Sequence, residues 1–202
     1  MLKVVIFDFD GVIADSLPAL EKAARKVLER LKYPFPAISR EDPLWKIMFK
    51  DMKLNAFQRL RLINAMKKEM SSYKEDIPVF SGMREIILEL SKKIKVMILS
   101  SNSKETISHI LEKNNFPELE IVSDSSFFGK DKVLKRTLKK HNFLPSEIIY
   151  LGDEVRDVEA CARARVEILV VNWGYNSEKA LRKAGANHII RKPEEILKFI
   201  KK

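Results

Sequence analysis

Val4-Val5-Ile6-Phe7-Asp8-Phe9-Asp10-Gly11-Val12 is an unbroken apolar, largely β-branched run that stops on two carboxylates and a glycine. A run with no polar position reads as a strand buried on both faces, which belongs in a parallel sheet covered by helices. Along an extended chain, side chains two apart point the same way. Asp8 and Asp10 therefore project together from the strand's C-terminal end, while Phe9 points away. Two carboxylates held that close repel each other, which suits a divalent cation or a divided acid and base. Gly11 lets the backbone turn sharply beside them.

Outward from this stretch, comparable apolar runs lie at 95–99, 148–151 and 168–171, with shorter ones at 120–122 and 188–190. Between them the apolar residues fall at helical spacing over 83–91, 107–114, 133–140, 158–165 and 178–184. Strands alternating with helices predict an α/β fold, a Rossmann-like parallel sheet flanked by helices. Right-handed crossovers bring every strand's C-terminal end to one edge, where open α/β sheets bind ligands. One interval breaks the alternation. Residues 17–80 carry helical patterns at 18–31, 43–52 and 56–73, the last with Phe57, Leu60, Ile63, Met66 and Met70 at helical spacing. This predicts a small all-helical cap inserted after the first strand, with Ile77-Pro78-Val79-Phe80-Ser81-Gly82 as the returning hinge. The expected domains are an α/β core of residues 1–16 and 81–202 and a helical cap of residues 17–80.

The 202 residues are 46% apolar and 33% charged, a composition that excludes disordered and fibrous classes. Lys and Arg number 38 against 28 Asp and Glu, a net charge of +10 that favours an anionic partner. Residues 17–80 hold fourteen of those cations and eight of the acids, so +6 of the surplus belongs to the insert. Basic and acidic residues are interleaved and no nucleic-acid motif is present, which argues against nucleic acid as partner. No stretch approaches the roughly 18 apolar residues of a membrane span, and the first apolar run is too short for a secretory signal. A single cysteine, Cys161, excludes an internal disulfide and fits a reducing, cytoplasmic setting.

Three more stretches end strands or open helices. Ser100-Ser101-Asn102-Ser103 offers hydroxyls and N–H groups that read first as a helix cap and also suit a phosphoryl oxygen. Gly129-Lys130-Asp131-Lys132 offers two ammonium groups at a helix start. Gly152-Asp153-Glu154-Val155-Arg156-Asp157 follows an apolar strand with acids four apart, a spacing that can aim two carboxylates at one point. Mg2+ commonly takes one or two carboxylates plus waters and substrate phosphate. Cys161, His109, His141, His188 and the aromatic loop Trp173-Gly174-Tyr175-Asn176 read as packing or surface groups.

With VVIFDFDGVIADS first and the other three stretches in order, the chain resembles the haloacid dehalogenase-like hydrolases. The Asp15-Ser16 continuation is similar to the phosphoglycolate phosphatase-like branch, which inserts a helical cap at this point. The resemblance implies a Mg2+-dependent phosphatase acting on a small phosphorylated metabolite, a phosphoglycolate-like phosphomonoester, through an aspartyl-phosphate. It implies Asp8 as nucleophile and Asp10 as acid and base. It also implies Ser101 rather than Ser100, with Asn102 and Lys130, as phosphoryl-binding groups; Lys132 is the alternative lysine. The metal set it implies is Asp8, Asp10 through its backbone carbonyl, Asp153, and Asp157 through a water. Asp10 favours a phosphatase over a dehalogenase, because an alkoxide needs a proton to leave and a halide does not. Two alternatives share these motifs or this charge: a sugar-phosphate mutase, and a basic nucleic-acid or partner-binding protein on the same fold.

Overall fold

The apolar run at the start becomes β1 (Val4–Phe7), buried along its whole length. Its side chains alternate between two separate clusters, Val5 and Phe7 in one and Val4 and Ile6 in the other, so the strand contributes to a core on each face of the sheet. The computed structural model describes residues 1–37, 39–42, 52, 54–124 and 129–200. The other strands are β2 (Lys95–Ser100), β3 (Glu120–Ser123), β4 (Ile148–Gly152), β5 (Glu167–Val171) and β6 (His188–Ile190). All six pair in parallel, in the order β3-β2-β1-β4-β5-β6. The helices are α1 (Leu17–Leu31), α2 (Ala56–Ser71), α3 (Met83–Ser91), α4 (Lys104–Lys113), α5 (Lys130–His141), α6 (Val155–Ala164), α7 (Glu178–Lys183) and α8 (Glu194–Ile200).

Strand order reverses between β1 and β4, with Val5 paired to Val96 on one side and to Ile149 on the other. The crossovers on either side of that reversal run in opposite directions, leaving a crevice at the strands' C-terminal ends. Asp8 and Asp153, the residues that follow β1 and β4, stand at its mouth.

The described part of the insert is helical, as its spacing predicts. Helices α1 and α2 bury Ala23, Val27, Leu28, Leu62 and Met66 against each other in a cluster distinct from those of the sheet. Helix α2 starts on a reciprocal cap, in which Gln58 N donates to Asn55 Oδ1 and Asn55 N to Gln58 Oε1, both at 2.9 Å. The helix expected over 43–52 falls almost wholly outside the described residues. Entry and exit of the insert are tied together: Phe80 N donates to the Ile13 carbonyl and Asp15 N to the Pro78 carbonyl, each at 2.9 Å. Helix α8 was not expected from the sequence. Its seven residues carry one fully buried apolar side chain, Ile196, too little periodicity to read. Among the described residues no helix is long and apolar enough to cross a membrane.

Candidate active site

Asp8 is buried at the end of β1, where Phe9 N donates to its Oδ1 at 2.7 Å. Its other oxygen accepts from Lys130 Nζ, which also donates to Asp157 Oδ1. Lys130 reaches this point because it opens α5, directly after Gly129 at φ 111°. Its ammonium stands 5.4 Å from the centre of the Tyr150 ring. Burial pulls the Lys130 ammonium down, but the carboxylates of Asp157 and Asp8 outweigh it and hold the group well above its ordinary range. Lys132, two residues further along the helix, is exposed.

Carboxylate oxygens of Asp8, Asp153 and Asp157 all lie within 4.8 Å of one another. The backbone is shaped around them. A Cβ on Gly11, which sits at φ +75°, would stand 2.0 Å from Asp153 Oδ2, and one on Gly174 would stand 2.2 Å from Asp153 Cβ. No side chain fits at either position, so both must be glycine. Crowding of this kind has an electrostatic cost. Burial, more than the neighbouring acid charge, raises Asp8 to about 7 despite Lys130. Burial, then the charges of Glu154, Asp157 and Asp8, pushes Asp153 well above the carboxylate range.

The three acids are not equivalent. Asp157 has both oxygens engaged, Oδ1 by Lys130 and Oδ2 by the N–H groups of Asp153 and Glu154 at 3.2 and 3.1 Å. Asp153 accepts at Oδ2 from Tyr175 N at 2.6 Å, while its buried Oδ1 has no hydrogen-bond partner among the described residues. A buried carboxylate oxygen without a donor, beside two further carboxylates, fits a hard divalent cation.

Asp10 faces elsewhere. Its carboxylate accepts from Ser100 Oγ at 3.3 Å and from Asn102 Nδ2 at 3.2 and 3.3 Å, away from the acid trio. The Asn102 amide, expected to bind substrate, is thus engaged in orienting Asp10, and its Oδ1 accepts from Ser103 N at 2.8 Å. Ser103 caps α4, its Oγ accepting from Thr106 N at 3.1 Å. Ser101 and Asp10 line a cavity of about 240 Å3 between the strand ends and the insert.

Several supporting groups had escaped the sequence. Ser100 holds Asp10. Buried Glu154 pairs with the half-buried Arg156 at 2.6 Å beside the same cavity. The loop after β5, read as packing, supplies Tyr175 N to Asp153, and Asn176 Oδ1 accepts from Val155 N at 2.9 Å to fix the start of α6. Its position after a core strand, on the edge that carries the acids, was the available signal.

Folded chains rarely keep repelling acids buried at a sheet's switch point unless chemistry uses them; this arrangement defines an α/β enzyme rather than a binding module. A family model for haloacid dehalogenase-like hydrolases matches residues 5–171, and the chain belongs to that family. A phosphoglycolate phosphatase from Synechococcus elongatus is 26% identical over 98% of this chain and 97% of its own. A phosphorylated carbohydrates phosphatase from Thermotoga maritima is 28% identical, with 99% of each chain covered. A haloacid dehalogenase-like family hydrolase from Streptococcus pneumoniae shares the fold, with a TM-score of 0.81 over 98% of each chain at 19% identity.

Proposed function

We propose that the protein hydrolyses a small phosphorylated metabolite, a phosphoglycolate-like phosphomonoester, with Mg2+ and through an aspartyl-phosphate. The chain is a phosphatase of the haloacid dehalogenase-like class. The observation that carries the finer reading is the pair of differently housed acids after β1. Asp8 is buried against Lys130, while Asp10 lines an open cavity on hydroxyl and amide donors.

In this reading the core is residues 1–16 and 81–202, and the cap is residues 17–80. Asp8 and Asp153 would hold Mg2+ directly, with the Asp10 backbone carbonyl, and Asp157 would take part through a water. Bound there, the cation would offset the repulsion between Asp8 and the incoming phosphate. An Asp8 oxygen attacks phosphorus in line; the bond from phosphorus to the ester oxygen breaks, and the Asp10 carboxyl gives its proton to the departing alkoxide. Water then attacks the aspartyl-phosphate. It loses its proton to Asp10, the bond between Asp8 and phosphorus breaks, and inorganic phosphate leaves. Ser101 and Lys130 hold the phosphoryl oxygens, and the cap limits entry of bulk water. The buried, single Cys161 is in keeping with a reducing cytoplasm.

Incubation with Mg2+ and a panel of phosphorylated metabolites, phosphoglycolate first, tests this. One inorganic phosphate is expected per ester consumed. Phosphate that stays esterified to a rearranged sugar would indicate a mutase and overturn the proposal. Tight, steeply salt-dependent binding of DNA or RNA without phosphate release would also overturn it.

A further inference from the structure

The cavity that Asp10 and Ser101 line is closed on the insert side by Leu20 of α1 and by Ile63, Met66 and Met70 of α2. The three α2 positions recur at helical spacing and form one stripe. Met66 is buried in the insert's own core, whereas Leu20, Ile63 and Met70 are half-buried and turn surface toward the cavity. Little of the positive charge on the insert's described residues lines this space. Among the described residues, Lys67 is the insert cation on the cavity wall. Arg156, on the core side, is balanced by Glu154 at 2.6 Å. The insert's described cations, part of the surplus that favours an anionic partner, therefore lie largely on other faces, and the described wall opposite Asp10 is predominantly apolar.

A phosphate ester bound at Asp8 must direct its leaving group past the acid that protonates it, because Asp10 has to reach the ester oxygen. The leaving group then occupies the cavity that Asp10 lines. We propose that the cavity favours a leaving group poor in hydroxyls, with a carbon body set against this wall, over a polyhydroxylated sugar; the proposal rests on the phosphatase reading above, whose short glycolate-type leaving group carries no sugar hydroxyls. Each methylene moved from water onto Leu20, Ile63 and Met70 should improve kcat/KM about fourfold. Each sugar hydroxyl pressed against the same wall gives up water without gaining a partner, a loss of about tenfold. Met70 is unbranched and half-buried, so this part of the wall can follow chains of different shape. Such a preference would part this chain from its carbohydrate-phosphate relative, although both match over nearly their full length.

The test compares ethyl, butyl and hexyl phosphate with erythritol 4-phosphate, a polyol ester of butyl length, on the full chain with Mg2+. 4-Nitrophenyl phosphate serves as the generic ester. Expected are a rise in kcat/KM of about tenfold or more from ethyl to butyl, and at least a tenfold advantage of butyl over erythritol phosphate. Ile63→Asn, and Met70→Gln as a second variant in case the first folds poorly, should each shrink that advantage severalfold, mainly through KM. A flat alkyl series, a faster polyol ester, or an advantage untouched in both folded variants would overturn this inference and leave the phosphatase reading standing. Failure of the folded protein to release phosphate from any of the esters, 4-nitrophenyl phosphate included, would overturn both.

Discussion

Arg40 Nη2 lies 2.9 Å from the Gly174 carbonyl oxygen. The same guanidinium donates to the carbonyls of Tyr175 at 3.0 Å and Asn172 at 3.2 Å, so one side chain of the insert caps three backbone oxygens of the loop after β5. The loop answers in kind: Ser177 N and Asn176 Nδ2 both donate to the Arg40 carbonyl at 2.9 Å. Tyr175 N, inside this clamp, is the donor to Asp153 Oδ2.

Arg40 accordingly reaches the acid cluster through the loop. Arg40→Ala should weaken binding of Mg2+ or Mn2+ by about tenfold, the low end for losing an outer support of a ligand. Titration calorimetry on the folded variant reads this directly. Arg40→Lys should fail to restore affinity, because a single ammonium cannot span three carbonyls that a planar fork reaches. Wild-type affinity in both variants would mean that the loop holds Asp153 without the clamp.

Asp8→Asn should reduce phosphate release by at least about 10^4-fold, since the amide is not a nucleophile and Asp157, the other buried carboxylate beside Lys130, has both oxygens engaged. The same change removes one of three mutually repelling acids, and Lys130 keeps Asp157 as partner. The metal-free variant should therefore melt a few degrees above wild type at pH 8. Near-normal turnover would exclude Asp8 as the nucleophile.

The acids are also the source of an unusual pH dependence. Asp8 titrates at about 7 in the fold against an ordinary value of 3.8, and burial likewise raises Asp153. Between those values the folded chain holds protons that the unfolded chain has released, so metal-free stability falls as pH rises from about 4 to 7. A cation binds the ionised form. Its stabilising effect should thus be larger at pH 8 than at pH 5, and binding near pH 7 should release protons into weakly buffered solution. Melting curves with and without Mg2+ across this range check the sign; a larger metal effect at pH 5 would contradict it.

Much of this was legible in the chain because β1 and β4 are apolar at every position and break abruptly on Asp8 and Asp153. Burial on both faces and the common C-terminal edge follow from that pattern alone. Contacts to backbone were not legible. Arg40 recognises carbonyls 132 to 135 positions away, and Tyr175 acts through its N–H, so neither leaves a side-chain pattern to read. Local hydrogen bonding also redirected expected groups, turning Asn102 onto Asp10 and committing Asp157 to Lys130 and the start of α6. Charge counting located the surplus in the insert but could not say which face carried it; the 3.6-residue stripe of Ile63, Met66 and Met70 carried that information instead.

Asp10 and Asn102 supply the sharpest test of the proton transfer. An alkoxide is a poor leaving group and needs its proton in the transition state, whereas a nitrophenolate departs without one. Asp10→Asn should therefore lower kcat/KM for butyl phosphate by about 10^2–10^4-fold and for 4-nitrophenyl phosphate far less, because kcat/KM is set before Asp10 takes the proton of water. Asn102→Ala keeps the carboxyl but removes two of its contacts, at 3.2 and 3.3 Å, leaving Ser100 Oγ to hold it. It should show the same selectivity at about a tenth of the size or less, with kcat falling more than KM changes. Because general acid catalysis acts on the leaving group alone, the ratio of the two esters isolates it from any loss of fold or of phosphate binding. Equal losses of kcat/KM on both esters in Asp10→Asn would remove its role as acid toward the leaving group.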